Sequence, residues 1–269
     1  MPILLELFLF LLAGIFTGTL SSLFGLGGGL VVVPVSFLIF HLLGYPNGVV
    51  MHVALGTSLA VMIVTTINGI IQHARAGNIV KSVVWPMTPF IAVGAIAGSI
   101  ISMYLHSNIL RYFFIAFLFL VIINALFNKA FKGDFTLDDL KPFNAIAQWM
   151  VALVIAMISV LLGIGGSVMS VPYFRRHQMP IANASACALC LTPIIAIFGT
   201  AGYLYAGWHA TGLPPHSFGF INIPAAIAIS AGTFIGVPVG IYLLRWLSDQ
   251  LAAKLYIVML VVMLLLMIA

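Results

Sequence analysis

A glycine-rich stretch occurs twice in this chain, and it constrains the fold more than any other feature. The first copy is Gly25-Leu26-Gly27-Gly28-Gly29 and the second is Gly163-Ile164-Gly165-Gly166-Ser167, at a constant offset of 138 residues. Each copy follows a long apolar run and precedes a shorter one that contains Val-Pro. Glycine costs a helix interior about 1 kcal/mol relative to alanine, so each cluster is predicted to break a helix. The broken ends leave backbone N–H groups without partners inside the helix.

The composition predicts an integral membrane protein. Hydrophobic residues make up 63% of the chain and charged residues only 6%, against roughly a quarter charged in a soluble domain. The net charge of +5 is attributed to cytoplasmic loops, and nucleic acid is not an expected partner. Cys187 and Cys190 lie in an apolar run, so no disulfide framework is indicated. The first apolar run has no basic residue before it, so we interpret it as a permanent segment and not a secretory signal.

Apolar runs predict ten helical segments, five in each half of the chain. The predicted segments are 3–24, 30–43, 48–73, 83–105, 109–127, 144–162, 168–177, 181–206, 219–244 and 250–268. The segments 30–43 and 168–177 are too short to cross a hydrocarbon core of about 30 Å, so both are predicted to be half-helices near the membrane midplane. A polar linker separates two membrane repeats, which gives the division 1–127, 128–143 and 144–269.

Basic residues predict the orientation of the chain. If each half crosses the membrane an odd number of times, nine of the ten Lys and Arg residues lie on one face and only Arg111 lies on the other. By the positive-inside rule the crowded face is cytoplasmic. The expected fold is therefore all-α, with two inverted repeats and both termini on the outer side of the cell (inner) membrane. Gly94 and Gly98 recur as Gly232 and Gly236, and this spacing predicts close helix contacts.

Inverted repeats with broken helices are a recurring plan of secondary transporters. The N-terminal ends of the two half-helices are expected to face one central region, where their free N–H groups and positive dipole ends favour an anion. The alternative is that the glycines only permit close packing or a tight turn. No metal-ligand cluster, nucleophile with a base or cofactor motif is found in the sequence. We therefore expect no cofactor, no metal and no enzymatic activity.

The two glycine stretches, Ala54-Leu55-Gly56-Thr57-Ser58 and the later glycine pairs resemble the sulfite exporter TauE/SafE family over nearly the whole chain. The resemblance implies a transmembrane permease for small sulfur-containing anions such as sulfite, sulfonates or sulfoacetate. Cys187-Ala188 stands where the second half would repeat Thr57-Ser58. The expected substrate-binding residues are Gly25, Gly27, Gly28, Gly29, Thr57, Ser58, Gly163, Gly165, Gly166 and Ser167.

Other polar residues are candidates for lining the transport pathway. Ser58, Thr65, Asn68 and Gln72 share one helical face, and they either line the pathway or bond neighbouring helices. Further candidates are His52, Cys187 and Arg175. The alternative for His52 is a structural hydrogen bond, for Cys187 it is inert packing, and for Arg175 it is a role as a topology anchor. An intramembrane enzyme using Cys187, Ser58 or His52, a channel-like subunit and a carrier for another small anion remain competing functions. The sequence leaves open whether the chain acts alone or as a homodimer.

Overall fold

The structure is a computed structural model that describes residues 3–24, 28–127, 135–244, 246 and 249–268. Within these ranges the chain is almost entirely helical. The α-helices are α1 Ile3–Phe24, α2 Gly29–Leu42, α3 Asn47–Arg75, α4 Lys81–Tyr104, α5 Ser107–Phe127, α6 Ala145–Leu161, α7 Ser167–Arg176, α8 Ile181–Ala206, α9 Ile223–Leu244 and α10 Asp249–Ile268. A 3₁₀ turn at Leu137–Asp139 and a hairpin of β1 Ser217–Phe218 with β2 Ile221–Asn222 complete the described elements.

Each of the ten segments expected from the sequence corresponds to one helix. Their ends agree within two residues, except that α9 begins at Ile223 and not at residue 219. The difference arises because the apolar residues before Ile223 form the β-hairpin, and Asn222 then caps the helix by accepting a hydrogen bond from the Ala225 N–H at 2.9 Å. Six helices, α1, α3, α4, α5, α8 and α9, are long and apolar enough to cross a membrane.

Contacts between helix ends define two opposite faces of the bundle. On the first, which we call the Glu6 face, the Tyr45 hydroxyl donates to the Glu6 carboxylate at 3.5 Å and the Arg111 Nε donates to the Met267 carbonyl at 2.6 Å. On the second, the Asn78 face, the Asn183 amide donates to the Asn78 carbonyl at 2.9 Å. Helix α3 runs from the first face to the second.

The first two helices of each half return to the face from which they start. Phe10 in α1 lies beside Phe40 near the end of α2, with ring centroids 5.1 Å apart, so both outer ends lie at the Glu6 face. Phe143, just before α6, stacks on His177, just after α7, with centroids 4.3 Å apart. The backbone N–H of Lys141 also donates to the His177 carbonyl at 2.9 Å, so both ends of this pair lie at the Asn78 face.

Glycines bring helices of the two halves into direct backbone contact. A Cβ atom at Gly94 in α4 would collide with the Leu153 carbonyl of α6, and one at Gly98 would lie 2.6 Å from the Met157 carbonyl. In the same way, Gly232 and Gly236 in α9 lie against the backbone of α1. The close approach that the glycine spacing predicted is therefore confirmed, and α1 pairs with α9 while α4 pairs with α6.

Candidate functional site

The two glycine stretches meet at the centre of the bundle. A Cβ atom at Gly29, the first residue of α2, would lie 2.8 Å from the Gly163 carbonyl oxygen and 2.8 Å from the Ile164 Cα. The Ser58 hydroxyl in α3 donates to the same Gly163 carbonyl at 2.8 Å. Because the clashing atoms at position 29 belong to backbone, a side chain there would separate the start of α2 from the second stretch.

Gly163 ends α6 through its backbone conformation. Its φ of +59° is a left-handed value that L side chains rarely adopt. The Gly163 N–H donates to the Val160 carbonyl at 3.1 Å, and the Ile164 N–H donates to the Ser159 carbonyl at 2.9 Å. This pair of bonds is the Schellman motif, which satisfies the last carbonyls of a helix. Helix α7 begins four residues later, at Ser167.

Gly28 is the N-cap residue that precedes α2, and it has a φ of +88°. Its carbonyl accepts hydrogen bonds from the Val31 and Val32 N–H groups, each at 3.0 Å. Among the described residues, a Cβ atom at this position would meet only the Ser21 hydroxyl, 3.8 Å away. Position 28 is therefore open in space, and the requirement for glycine comes from the backbone angle.

A cavity of about 560 Å³ extends from the two helix starts toward the Asn78 face. Gly28 at the start of α2 and Ser167 at the start of α7 both line it. His73 also lines it, and this ring lies 3.3 Å from the Asn78 side-chain amide at the edge of the bundle. Its hydroxyl-bearing Ser and Thr residues are Ser21, Ser22, Thr65, Thr66, Ser167, Ser185 and Thr233.

The cavity is lined by hydroxyls and apolar side chains, and not by side chains that carry a permanent charge among the described residues. Among the described residues that line it there is no Lys, Arg, Asp or Glu. Its remaining wall is mainly apolar and comes from Val32, Val61, Met62, Val171, Leu189, Phe234, Val237, Pro238 and Ile241. An anion in this cavity would therefore depend on hydroxyls, backbone N–H groups and helix dipoles for its stabilisation.

The expected binding residues occupy three kinds of position. Gly28 and Ser167 line the cavity, whereas Gly29, Gly163, Gly165 and Gly166 pack around the junction of the two stretches. Thr57 lies elsewhere, because its hydroxyl accepts a hydrogen bond from the Asn222 N–H at 3.0 Å, next to β2. Gly25 and Gly27 lie outside the described residues.

Of the additional candidates for the pathway whose side chains are described, Thr65 lines the cavity, whereas His52, Cys187 and Arg175 do not. His52 is buried, with its Nε2 3.3 Å from the Ser102 carbonyl and its ring stacked on Phe220. Cys187 accepts a hydrogen bond from the Val80 N–H, with the sulfur and nitrogen 3.4 Å apart. The side chains of Asn68 and Gln72 in α3 lie outside the described residues.

Arg175 anchors the linker instead of lining the cavity. The side chain is 6% exposed, its Nη1 donates to the Met179 carbonyl at 3.1 Å, and its guanidinium lies 4.9 Å from the centre of the Phe135 ring. Phe135 belongs to the segment between the two halves. The alternative that this residue is a topology anchor stays a prediction.

Several cavity residues were not among the sequence-based candidates. These are Ser21, Ser22, Thr66, His73, Ser185 and Thr233. Two signals pointed to some of them. Ser21 recurs as Ser159 at the 138-residue offset of the glycine stretches, and Thr66, Gly69 and His73 share the i, i+3, i+7 face of α3.

Ser58→Ala is expected to lower the free energy of unfolding by about 1–3 kcal/mol, because it leaves the buried Gly163 carbonyl without its hydroxyl donor. The measurement is the thermal midpoint of the protein in detergent. Thr88→Ala is the matched control, since the only partner of the Thr88 hydroxyl within the described part of the chain is the Val84 carbonyl of its own helix. Equal midpoints for the two variants would show that the Ser58 bond does not hold the glycine stretches together.

Six apolar helices long enough to cross a membrane, packed around a cavity that carries several hydroxyls, are typical of a multi-pass membrane protein. The chain belongs to the sulfite exporter TauE/SafE family, whose family model matches residues 10–267. This membership places it among membrane transporters.

Three curated relatives are similar over most of their length. A probable membrane transporter protein of Haemophilus influenzae is 29% identical over 230 residues, which cover 86% of each chain. A probable membrane transporter protein of Methanocaldococcus jannaschii is 29% identical over 92% of this chain and 90% of its own. The probable membrane transporter protein YdhB of Bacillus subtilis is 26% identical over 83% of this chain and 84% of its own. No solved structure matches the chain significantly.

Proposed function

We propose that this protein is a secondary carrier for small sulfur-containing anions such as sulfite, sulfonates or sulfoacetate. One observation carries the proposal: Gly28 and Ser167, at the starts of α2 and α7, line the same cavity, while Gly29 packs against Gly163. The choice of sulfur-containing anions rests on the family, whose description is that of a sulfite exporter. The anion binds between the two helix starts.

The two helix starts provide stabilisation without a cationic side chain. Each helix has N–H groups in its first turn that lack partners within the helix. Three or four charge-assisted hydrogen bonds at about 1.5–3 kcal/mol each, with about 0.3–2 kcal/mol from each helix dipole, offset the several kcal/mol needed to desolvate an ion. The small surplus predicts modest affinity, which allows the carrier to release its load.

Equivalent contacts in the two halves support inverted repeats. Gly94 lies against Leu153, and Gly232 lies against Ile15; subtracting 138 from Leu153 and Gly232 gives Ile15 and Gly94. The pairing of α4 with α6 is thus the counterpart of the pairing of α9 with α1. The start of α1 and the end of α2 lie at the Glu6 face, whereas the start of α6 and the end of α7 lie at the Asn78 face, so the two helix pairs enter the bundle from opposite sides. On this proposal α2 and α7 are half-helices that begin near the midplane.

The Asn78 face is cytoplasmic in this proposal, and both termini lie outside. Described basic residues near that face are Arg75, Lys81, Lys141, Arg175 and Arg176, whereas Arg111 is bonded to Met267 at the Glu6 face. The positive-inside rule then orients the chain in the cell membrane. The repeats are residues 1–127 and 144–269, joined by a cytoplasmic linker.

A cysteine in the linker, Leu137→Cys, is expected to react with a membrane-impermeant maleimide only after the cells are permeabilised. Both Leu137 and the control position Phe218 are exposed, and Phe218 lies in the hairpin that is proposed to be outside. Phe218→Cys should therefore react in intact cells. The proposed orientation is wrong if the two positions exchange their behaviour.

Counterflow into liposomes that contain the purified protein tests the function. The panel is sulfite, thiosulfate, sulfonates, sulfoacetate, sulfate, chloride and carboxylates, with protein-free liposomes as the blank. Saturable uptake of sulfite, sulfonates or sulfoacetate supports the proposal. Saturable uptake confined to chloride or carboxylates would contradict the substrate class, and flux that does not saturate would favour a channel.

A further inference from the structure

Three positions that line the cavity have equivalents in the second half of the chain that do not line it. The 138-residue offset relates Gly28 to Gly166, and an offset of 130 residues relates Gly69 and His73 in α3 to Gly199 and Tyr203 in α8. Gly28, Gly69 and His73 line the cavity. Their counterparts are packed by side chains, so the two halves differ in structure at equivalent places.

Side chains pack closely around the two glycine counterparts in the second half of the chain. A Cβ atom at Gly199 would lie 3.0 Å from Leu59 Cδ1 and 3.1 Å from Val160 Cγ2, and one at Gly166 would lie 2.8 Å from Ile195 Cδ1. All of these obstructing atoms are ends of apolar side chains, which can change rotamer more easily than backbone can move.

Tyr203 lies in this packed region, beneath the Glu6 face. Its side chain is fully buried and its hydroxyl donates to the Val160 carbonyl at 3.4 Å. Its own carbonyl accepts from the Phe220 N–H at 3.1 Å, next to the hairpin of the Glu6 face. Tyr203 therefore occupies, near one face, the place that the cavity-lining His73 occupies near the other.

Two buried hydroxyls accompany this packed region. Ser159 and Ser170 are both 0% exposed, and their Oγ atoms have no hydrogen-bond partner among the described residues. Ser159 is the counterpart of the cavity residue Ser21, and the Ser170 Oγ lies 3.6 Å from the place of a Cβ atom on Gly166. A buried polar group without a partner is unfavourable, so these two hydroxyls, of which Ser170 lies beside the start of α7, call for an explanation.

We propose that Ser159 and Ser170, with the start of α7, form a second half of the anion site that is closed in this conformation and opens to the Glu6 face when Tyr203 leaves Val160. The inference rests on the proposed carrier function. In the alternate conformation the two hydroxyls gain the anion as a partner, while the cavity on the Asn78 side closes around Gly69 and His73. The carrier thus exposes equivalent hydroxyls, Ser21 and Ser159, to opposite faces in turn.

Thiol labelling in sealed vesicles of both orientations tests this without a substrate. Ser21→Cys and Ser159→Cys are made separately, treated with a charged impermeant maleimide from one face at a time, and assayed by peptide mass spectrometry. In the otherwise unchanged chain, Ser21→Cys should react from the Asn78 face and Ser159→Cys should be protected from both faces. Native Cys187, which is fully buried, reports unfolding if it becomes reactive.

Adding Tyr203→Ala should make Ser159→Cys react from the Glu6 face about tenfold faster or more, the equivalent of about 1.4 kcal/mol, and should slow Ser21→Cys. Tyr205→Ala, at a 74% exposed position on the same helix, is the matched control and should change neither rate. If Cys187 shows that Tyr203→Ala unfolds the protein, Tyr203→Phe decides. It removes the hydroxyl with its bonds to Val160 and Ser102 and keeps the ring, and about a threefold acceleration or more is then expected, because hydrogen bonds contribute modestly to stability.

Unchanged protection of Ser159→Cys in the folded Tyr203 variant would overturn the proposal, as would labelling of Ser159→Cys from the Asn78 face. Because no anion is present, this result is independent of the counterflow panel. Tyr203-dependent labelling with no saturable uptake would refute the substrate assignment and leave the gate standing.

Discussion

Gly28→Ala is expected to reduce the initial rate of anion uptake by about tenfold or more, which corresponds to about 1.4 kcal/mol of lost binding or transition-state stabilisation. Gly28 holds a φ of +88°, and its carbonyl sets the first turn of α2 by accepting from Val31 and Val32. An L side chain costs roughly 1–2 kcal/mol in the left-handed region, so the backbone is expected to relax and turn the α2 N–H groups away from the anion. The measurement is counterflow in liposomes.

Gly44→Ala separates this effect from a general loss of stability. Gly44 has a φ of +80° and, like Gly28, has open space around its Cβ position, but it lies in the loop after α2, at the Glu6 face. Both variants should lose a similar amount of stability, whereas only Gly28→Ala should lose uptake. Normal uptake in folded Gly28→Ala protein would remove the start of α2 from the binding site.

Gly232→Ala is expected to prevent most of the protein from folding. Its Cβ atom would collide with the Leu11 carbonyl and lie 2.7 Å from the Ile15 nitrogen, so α9 and α1 must move apart. Forcing a group into a packed interface costs about 1–3 kcal/mol, and here the obstructing atoms are backbone that cannot rotate aside. The readout is the thermal midpoint and the yield of monodisperse protein in detergent.

Gly48→Ala is the matched control for that variant. Gly48 is also a helical glycine, in the first turn of α3, but its Cβ position meets no atom of the described residues within 4 Å. Alanine favours a helix by up to about 1 kcal/mol over glycine, so this variant should be as stable as the unchanged protein or slightly more stable. Similar midpoints for Gly232→Ala and Gly48→Ala would show that the α1–α9 contact does not limit stability.

The sequence predicted the helices well because their signals are local. Long apolar runs marked the spans, and glycine clusters marked the ends of α1 and α6. The start of α9 was placed four residues early because Gly219, Phe220 and Ile221 are as suited to an apolar helix as to the hairpin that they form. The hairpin is also bonded to a distant part of the chain, because the N–H of Asn222 in β2 donates a hydrogen bond to the Thr57 hydroxyl.

The site was predicted only in part because it is built by contacts between distant segments. Thr57 and Ser58 are neighbours in sequence, yet on a helix they point in different directions, and only Ser58 reaches the glycine junction. Ser185 and Thr233 enter the cavity from α8 and α9, and no spacing in the sequence connects them. The place of Arg175 in the sequence, near the end of α7, suggested that it could attract an anion. Its contact with Phe135 depends on the tertiary structure and could not be predicted from the sequence.

The pairing of α1 with α9 has a consequence for biosynthesis. Gly232 follows Gly14 by 218 residues, and these glycines meet in the folded chain. At roughly 5–20 residues per second of translation, α1 must wait about 10–40 seconds in the bilayer before its partner is made. During that time its narrow glycine surface faces lipid or the insertion machinery. The first half of the chain, synthesised alone, is therefore expected to be a substrate for quality-control proteases.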